Sequence, residues 1–259
     1  MKILIGIAVF DSVENKRTEY TKKTYESLIK TTDPKTTDIV FVNNASCKET
    51  VDFLNGINMP NIKVIHSKEN VGTAEAINIA WKEADKETFC VKLDNDVTFK
   101  QIGWAERMAE CFTKDSYLGI VGLKRKDLPN EPISEQYQTT LVYLRHKKGE
   151  PWLFENMVEY CDDLIGTCHM FNPKLLEQIG YLWQPGIYGF DDVLACTRSR
   201  LAGFRNAFYP SIEIEHLDDG NNPYIEWKKR YAGMYLPMIE KIEREYETGE
   251  RPLYYSPFD

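Results

Sequence analysis

The feature that most restricts the fold is an alternation of two periodicities over the first part of the chain. Residues 3–10, 39–43, 62–66 and 88–93 are short, apolar and rich in β-branched and aromatic side chains, and read as strands. Between them, 16–30, 47–55 and 73–84 carry apolar residues at helical spacing. Strands separated by helices imply parallel pairing, because a parallel pair needs a crossover long enough to hold a helix, and right-handed crossovers dominate. The expectation is an α/β chain with a mainly parallel, Rossmann-like central sheet flanked by helices. In such sheets ligands sit beyond the carboxyl ends of the strands. The loops after Phe10, Asn43, His66 and Leu93 are therefore the places to inspect.

Beyond Leu93 the pattern is mixed. Residues 102–113 read as a helix, 118–123 as a strand, 141–158 as a hairpin around Lys147-Lys148-Gly149-Glu150, and 164–171 as an apolar run ended by Asn172-Pro173. A short helix at 175–179 closes at Gly180, a second helix covers 191–201, and 207–210 and 212–216 read as two short strands. From Pro223 the tail places Tyr224, Trp227, Tyr231 and Tyr235 at helical spacing, a stripe expected to pack back on the domain, with a kink at Pro237. No Pro/Gly/Ser-rich linker interrupts the chain, which predicts one compact domain.

The 32 basic and 40 acidic residues leave a formal charge of −8, which argues against nucleic acid as a partner. The apolar run at 3–10 is far short of the roughly 20 residues that span a bilayer, and it reads as a first strand rather than a signal peptide. Six cysteines with no C-x-x-C pair argue against a zinc ribbon or redox motif. They read as reduced structural thiols of a cytoplasmic protein, with the periphery of a membrane as the alternative location.

Neither a G-x-G-x-x-G nor a G-x-x-x-x-G-K-[ST] string follows a strand, which disfavours dinucleotide and P-loop enzymes. The fourth strand ends instead in Leu93-Asp94-Asn95-Asp96, two carboxylates where a parallel sheet binds ligand. Hard oxygen ligands suit Mg2+ or Mn2+ held together with a diphosphate, since such ions keep few protein ligands; the plain alternative is a solvated turn or a helix N-cap. A second acidic pair, Asp191-Asp192, opens the helix at 191–201, where it either caps the helix or holds a carboxylate near an acceptor hydroxyl as a general base. His216 ends the last strand and is either a structural histidine or a nitrogen ligand that favours Mn2+. Trp183, just before the acidic pair, either stacks on a ligand or packs on the core.

Taken in order, 5–11 (IGIAVFD), 42–46 (VNNAS), 70–72 (NVG) leading to Asn78, 93–96 (LDND), 166–171 (GTCHMF) and 189–192 (GFDD) through Arg198 to Gly203-Phe204 resemble a family-2-type nucleotide-sugar glycosyltransferase of the GT-A fold. The resemblance implies that 1–217 is the catalytic domain, with 1–96 as its nucleotide-binding half and 97–217 as its acceptor-binding half, and that 218–259 is a helical tail packed on it. It implies a donor site at Ala8, Val9, Phe10, Asn44, Gly72 and Asp94, with Gly72 letting the backbone approach the nucleotide and Asp94 on the ribose. It implies a metal, Mn2+ or Mg2+, on Asp96 and His216. Asp192 takes the place of the general base, with Asp191 beside it or on the acceptor, and Trp183 joins the acceptor side. The implied reaction moves a sugar from a nucleoside-diphosphate donor, a UDP-sugar first, to the hydroxyl of a glycan, lipid-linked or other acceptor with inversion. A nucleotidyltransferase of the same fold and a non-catalytic sugar- or protein-binding domain are the alternatives. The basic clusters at 124–126 and 145–148 read as solvated loop tips or as guides for a phosphorylated or membrane-bound acceptor.

Overall fold

The computed structural model describes residues 1–127, 140–144, 153–218 and 224–259. Its first half follows the alternation in the sequence: β1 (Ile3–Val9), α1 (Thr18–Thr31), β2 (Thr37–Asn44), α2 (Lys48–Asn55), β3 (Ile62–Ser67), α3 (Thr73–Trp81) and β4 (Phe89–Asp94). β1 lies between β2 and β4, and β2 pairs with β3, all in parallel register. β1 is apolar nearly throughout because both faces of the sheet are covered. Ile3, Ile5, Ile7 and Val9 enter one core together with Leu28, Leu54 and Trp104, while Leu4 enters the other beneath α3. Gly6 makes the close packing of α3 possible: a Cβ there would lie 3.0 Å from Ala80 Cβ.

The second half contains β5 (Val97–Thr98), α4 (Trp104–Lys114), β6 (Leu118–Arg125), β7 (Thr140–Tyr143), β8 (Met157–Cys161), β9 (Cys168–Phe171), α5 (Pro173–Ile179), α6 (Asp191–Leu201), β10 (Arg205–His216) and α7 (Tyr224–Glu247). The described residues form a ten-stranded sheet in the order β3-β2-β1-β4-β9-β6-β10-β8-β7, with β5 paired to β10. β9 runs antiparallel between β4 and β6, so the sheet is parallel in its first half and mixed in its second. β7 and β8 pair antiparallel as the expected hairpin. Its tip at Lys147-Lys148-Gly149-Glu150, the basic residues 145–148 and Pro223 lie outside the described residues.

The two strands expected at 207–210 and 212–216 are one. Pro210 lacks the N–H that a ladder position needs, and the β6–β10 register shifts between Phe208 and Glu213 while the strand continues. Past the shift β10 pairs with β6 again at Glu213 and Ile214, and where β6 ends it pairs antiparallel with β5, setting His216 opposite Val97. α7 runs through Pro237 as a single helix and packs Ile239, Ile242 and Tyr246 against Leu194 of α6. Beyond α7 the chain is tied down by Arg198, which is fully buried and donates to the carbonyls of Ile179, Tyr181 and Leu253. All six cysteines are unpaired thiols. Among the described residues no helix is long and apolar enough to cross a membrane.

Candidate active site

A cleft of about 520 Å³ opens at the carboxyl ends of β1 and β4, where the sheet leaves its parallel order. It gathers Ala8, Phe10, Asn44, Asp94, Asp96, Asp191, Asp192 and His216, eight of the residues singled out in the sequence. β4 brings Asp94 and then Asp96 to the floor. β10 carries His216 alongside, where the N–H of Leu217 donates to the Asp96 carbonyl at 2.8 Å. α6 presents Asp191 and Asp192 in its first turn, where its dipole favours negative charge.

Asp96 is 1 % exposed, and its Oδ2 accepts from Arg17 Nη2 at 2.5 Å and lies 3.2 Å from His216 Nε2. Burial alone would raise this carboxyl, but the bonds and charges of His216 and Arg17 outweigh it and hold its pKa below the ordinary range. Its other oxygen, Oδ1, is buried and has no partner. On the far side of the His216 ring, Nδ1 lies 2.9 Å from the Asp218 carbonyl. That carbonyl can only accept, so Nδ1 carries a proton; Nε2 donates to Asp96 Oδ2 when the ring is charged, which Asp96 favours by raising the His216 pKa, and is the nitrogen a cation would take in place of that proton. A bare carboxylate oxygen beside an oriented imidazole nitrogen is a donor set that fits a divalent cation. Among the described residues no group of three or more His, Cys, Asp or Glu could hold a metal, so an ion here would take most of its shell from elsewhere. Asp94 is half-buried; burial, with Asp96 adding to it, pushes its pKa up to about 6, and Lys92 opposes the rise.

On the other wall, Asp191 is 4 % exposed and ion-paired with Lys92 Nζ. Asp192 is half-buried at the cleft, its Oδ2 accepting from Gly166 N–H and its Oδ1 from Val193 N–H, both at 2.9 Å. Gly166 is there for approach: a Cβ would stand 2.7 Å from Asp192 Oδ2 and 2.9 Å from Lys92 Nζ.

The remaining sequence candidates have different surroundings from those expected. Asn44 spends both amide hydrogens on Asn70 Oδ1 and the Gly72 carbonyl, and its oxygen on Val71 N–H, so it latches the 70–72 loop. Gly72, with φ of +92°, permits a close approach, but by the chain itself: a Cβ would sit 2.6 Å from Gln184 Nε2 and 2.8 Å from Ile187 Cα. The Val9 side chain is buried in the core, away from the cleft lining. Trp183 does not line the cleft; it packs on the Leu194, Ile239, Ile242 and Tyr246 cluster with the Arg251 guanidinium 4.6 Å from its ring. Lys124, Arg125 and Lys126 pair with Glu159, Asp127 and Glu215.

Several cleft residues went unseen in the sequence. Arg17 is 3 % exposed and bridges Asp96 and Asp218, with Tyr224 4.9 Å from its guanidinium. Tyr224 and Trp227, noticed as part of a packing stripe, form the upper wall. The Trp227 ring lies 5.9 Å from Phe10, 5.4 Å from Tyr188 and 5.1 Å from Tyr224. Lys92 had a visible signal: a lone charge in the middle of an otherwise apolar strand.

The sequence pattern of glycosyl transferase family 2 matches residues 12–180. No curated protein matches the chain. Among solved structures, a mannosyltransferase, PcManGT from Pyrobaculum calidifontis in complex with GDP-Man and Mn2+, is similar at a TM-score of 0.69 and 17 % identity, over 94 % of this chain and 64 % of that one. GalNAc-T7 with UDP, GalNAc and Mn2+ is similar at 0.60 and 14 % identity, over 83 % of this chain and 44 % of that one. S. aureus TarS in complex with UDP-GlcNAc is similar at 0.59 and 17 % identity, over 84 % of this chain and 59 % of that one. The likeness is one of fold, and the chain spans less than two thirds of each of these structures.

Proposed function

The chain belongs to glycosyl transferase family 2 and has the GT-A fold, and from that premise we propose that it moves a sugar from a nucleoside-diphosphate donor to an acceptor hydroxyl with inversion at the anomeric carbon. One observation carries this reading: residues far apart in sequence converge so that an unpartnered carboxylate oxygen on Asp96 and the accessible carboxylate of Asp192 face one cleft.

The donor base would sit among Ala8, Phe10 and Asn70, under Trp227, with Asp94 near the ribose. Asp96 and His216 would hold the cation, Mn2+ or Mg2+, whose chemistry when bound is to offset charge on the departing diphosphate. Asp192 receives the proton of the acceptor hydroxyl. The N–H groups of Gly166 and Val193 fix its carboxylate, so the base is oriented before the acceptor arrives. The similar structures hold GDP-Man in one case and UDP or UDP-GlcNAc in the others, and a uridine donor is the first to test. Glycans, lipid-linked sugars and other hydroxyl compounds are the acceptor classes, and the cytoplasm or the periphery of a membrane the location.

The test is calorimetry of nucleoside diphosphates with Mn2+ and with EDTA. Mn2+ should tighten binding at least about tenfold, and Asp96→Ala should abolish that gain. Equal affinity in the two buffers would remove the metal role. Asp192→Asn should lower transfer by about 10²–10⁴-fold and leave donor affinity unchanged, as expected for loss of a general base. NMR of the anomeric proton in the product reads the stereochemistry.

A further inference from the structure

We propose that Lys92 is a positioning residue of the reaction: paired with Asp191, it leaves Asp192 as the carboxylate of the adjacent pair that takes the proton, and holds that carboxylate in its ionised form. This rests on the transferase reading above and deepens it.

Two adjacent aspartates at one helix start pose a problem of assignment. Like charges this close disfavour each other's ionised form, and such a pair titrates as a unit unless something separates the two. The fold supplies the separator. Lys92 projects from β4 on the same face as Asp94 and beneath α6, and its side chain is 5 % exposed, as is that of Asp191. An isolated lysine at this depth would shed its proton. Here Asp191, Asp94 and Asp192 offset its burial and raise its pKa, so the ammonium stays charged. The ion pair neutralises Asp191, the more deeply buried aspartate. Asp192 remains on the cleft side, bonded to two backbone N–H groups, with the Lys92 cation close by across Gly166.

The groups facing this arrangement are few. On β9, His169 is buried and neutral, and Cys168 is a buried thiol whose pKa burial raises. On α6, Cys196 is likewise kept protonated by burial, and from the preceding loop Tyr188 stays a neutral phenol. Asp94 and the two aspartates are the anions. From α7, Lys228 lies over the Tyr188 ring and pairs with Asp218, so Lys92 is the cation of this arrangement that pairs with one of the two adjacent aspartates. Without it, Asp191 is left buried with no counter-charge next to the accessible carboxylate.

Gly166 provides a reporter that needs no substrate, because its N–H donates to Asp192 Oδ2. In protein labelled with 15N-glycine, the Gly166 amide shift should follow the ionisation of Asp192. Lys92→Met should move that midpoint to higher pH by about one unit or more, and move the acid limb of kcat/KM by the same amount. Nucleoside-diphosphate affinity should stay within about threefold, well short of the tenfold that 1.4 kcal/mol would give. Should Lys92→Met fail to fold, the double variant Lys92→Met with Asp191→Asn removes both buried charges together. Its Gly166 midpoint should return toward that of the unaltered protein. A midpoint unmoved in Lys92→Met, or still displaced in the double variant, overturns the proposal. If no nucleotide sugar supports transfer while the Gly166 titration behaves as described, the transferase reading fails and the role of Lys92 in setting Asp192 stands.

Discussion

His169 shows at the scale of one residue how burial writes a pH dependence. It is fully buried on β9, with Nε2 donating to the Ile165 carbonyl at 2.6 Å. Burial first, and the Lys92 cation second, push its pKa down to about 3 from an ordinary value of 6.5. The unfolded chain therefore binds a proton more readily than the folded one between those values. The contribution of neutral His169 is fully present above about pH 6.5 and drains away as pH falls toward 3, by at most about 1.4 kcal/mol per unit. Urea unfolding at pH 7 and pH 5 should show this loss, and His169→Gln, which keeps a donor for Ile165, should flatten it. An unchanged slope in the variant would mean that the acid sensitivity comes from other groups. At this scale the sequence was partly readable. Asp94, Asp96, Asp192 and His216 stand at strand ends or a helix start, where position itself suggests chemistry. Arg17 has no such mark, since its meaning lies in partners 79 and 201 residues away.

Among the elements, α7 does two separable things. Its C-terminal half buries Ile239, Ile242 and Tyr246 against α6, while its first turns give Tyr224, Ile225, Trp227 and Lys228 to the cleft. Ile242→Ala should destabilise the protein by about 2–4 kcal/mol, through lost transfer energy and a cavity, and leave nucleoside-diphosphate affinity unchanged once folded. Trp227→Ala should do the reverse, with a small change in the melting temperature of the free protein and weaker nucleotide binding, as the ring over Phe10 is lost. Melting curves with and without ligand separate the two effects, and a common loss in both variants would refute the division. The helix itself was legible from its aromatic spacing. Which face met the cleft was not, because amphipathicity reports that a face is covered and not by what. β10 teaches the same lesson in a different way. Pro210 suggested a break, but the sheet accommodates it as a register shift, and the strand runs on to bring His216 beside Asp96.

For the whole molecule, local pattern predicts the parallel half of the sheet because each βαβ unit is decided by neighbours in sequence. The insertion of β9 between β4 and β6 is a long-range pairing with no local signature, and it sets Gly166 and Lys92 beside α6. The net charge of −8 takes on a specific meaning in this frame. The cleft itself is acidic, with Arg17, Lys92, Arg125 and Lys228 against Asp94, Asp96, Asp127, Asp191, Asp192 and Asp218. All four of those cations pair with carboxylates of the same cleft, so among the described residues the site offers little free positive charge to a diphosphate. A basic phosphate cradle would bind the nucleotide by direct attraction, and added salt would weaken it steeply. On the proposed reading the diphosphate takes its counter-charge from a divalent cation. Without metal, its affinity should be weak and should not fall as NaCl rises from about 50 to about 300 mM, since screening relieves repulsion as much as attraction. With Mn2+ present, affinity should rise at least about tenfold at both salt concentrations, because the new contacts form at buried groups that salt screens little. Titration of a fluorescent nucleoside diphosphate under the four conditions decides this. A metal-free affinity that drops steeply with salt would show that surface cations carry the binding, and would return the basic side chains around the cleft to the centre of donor recognition.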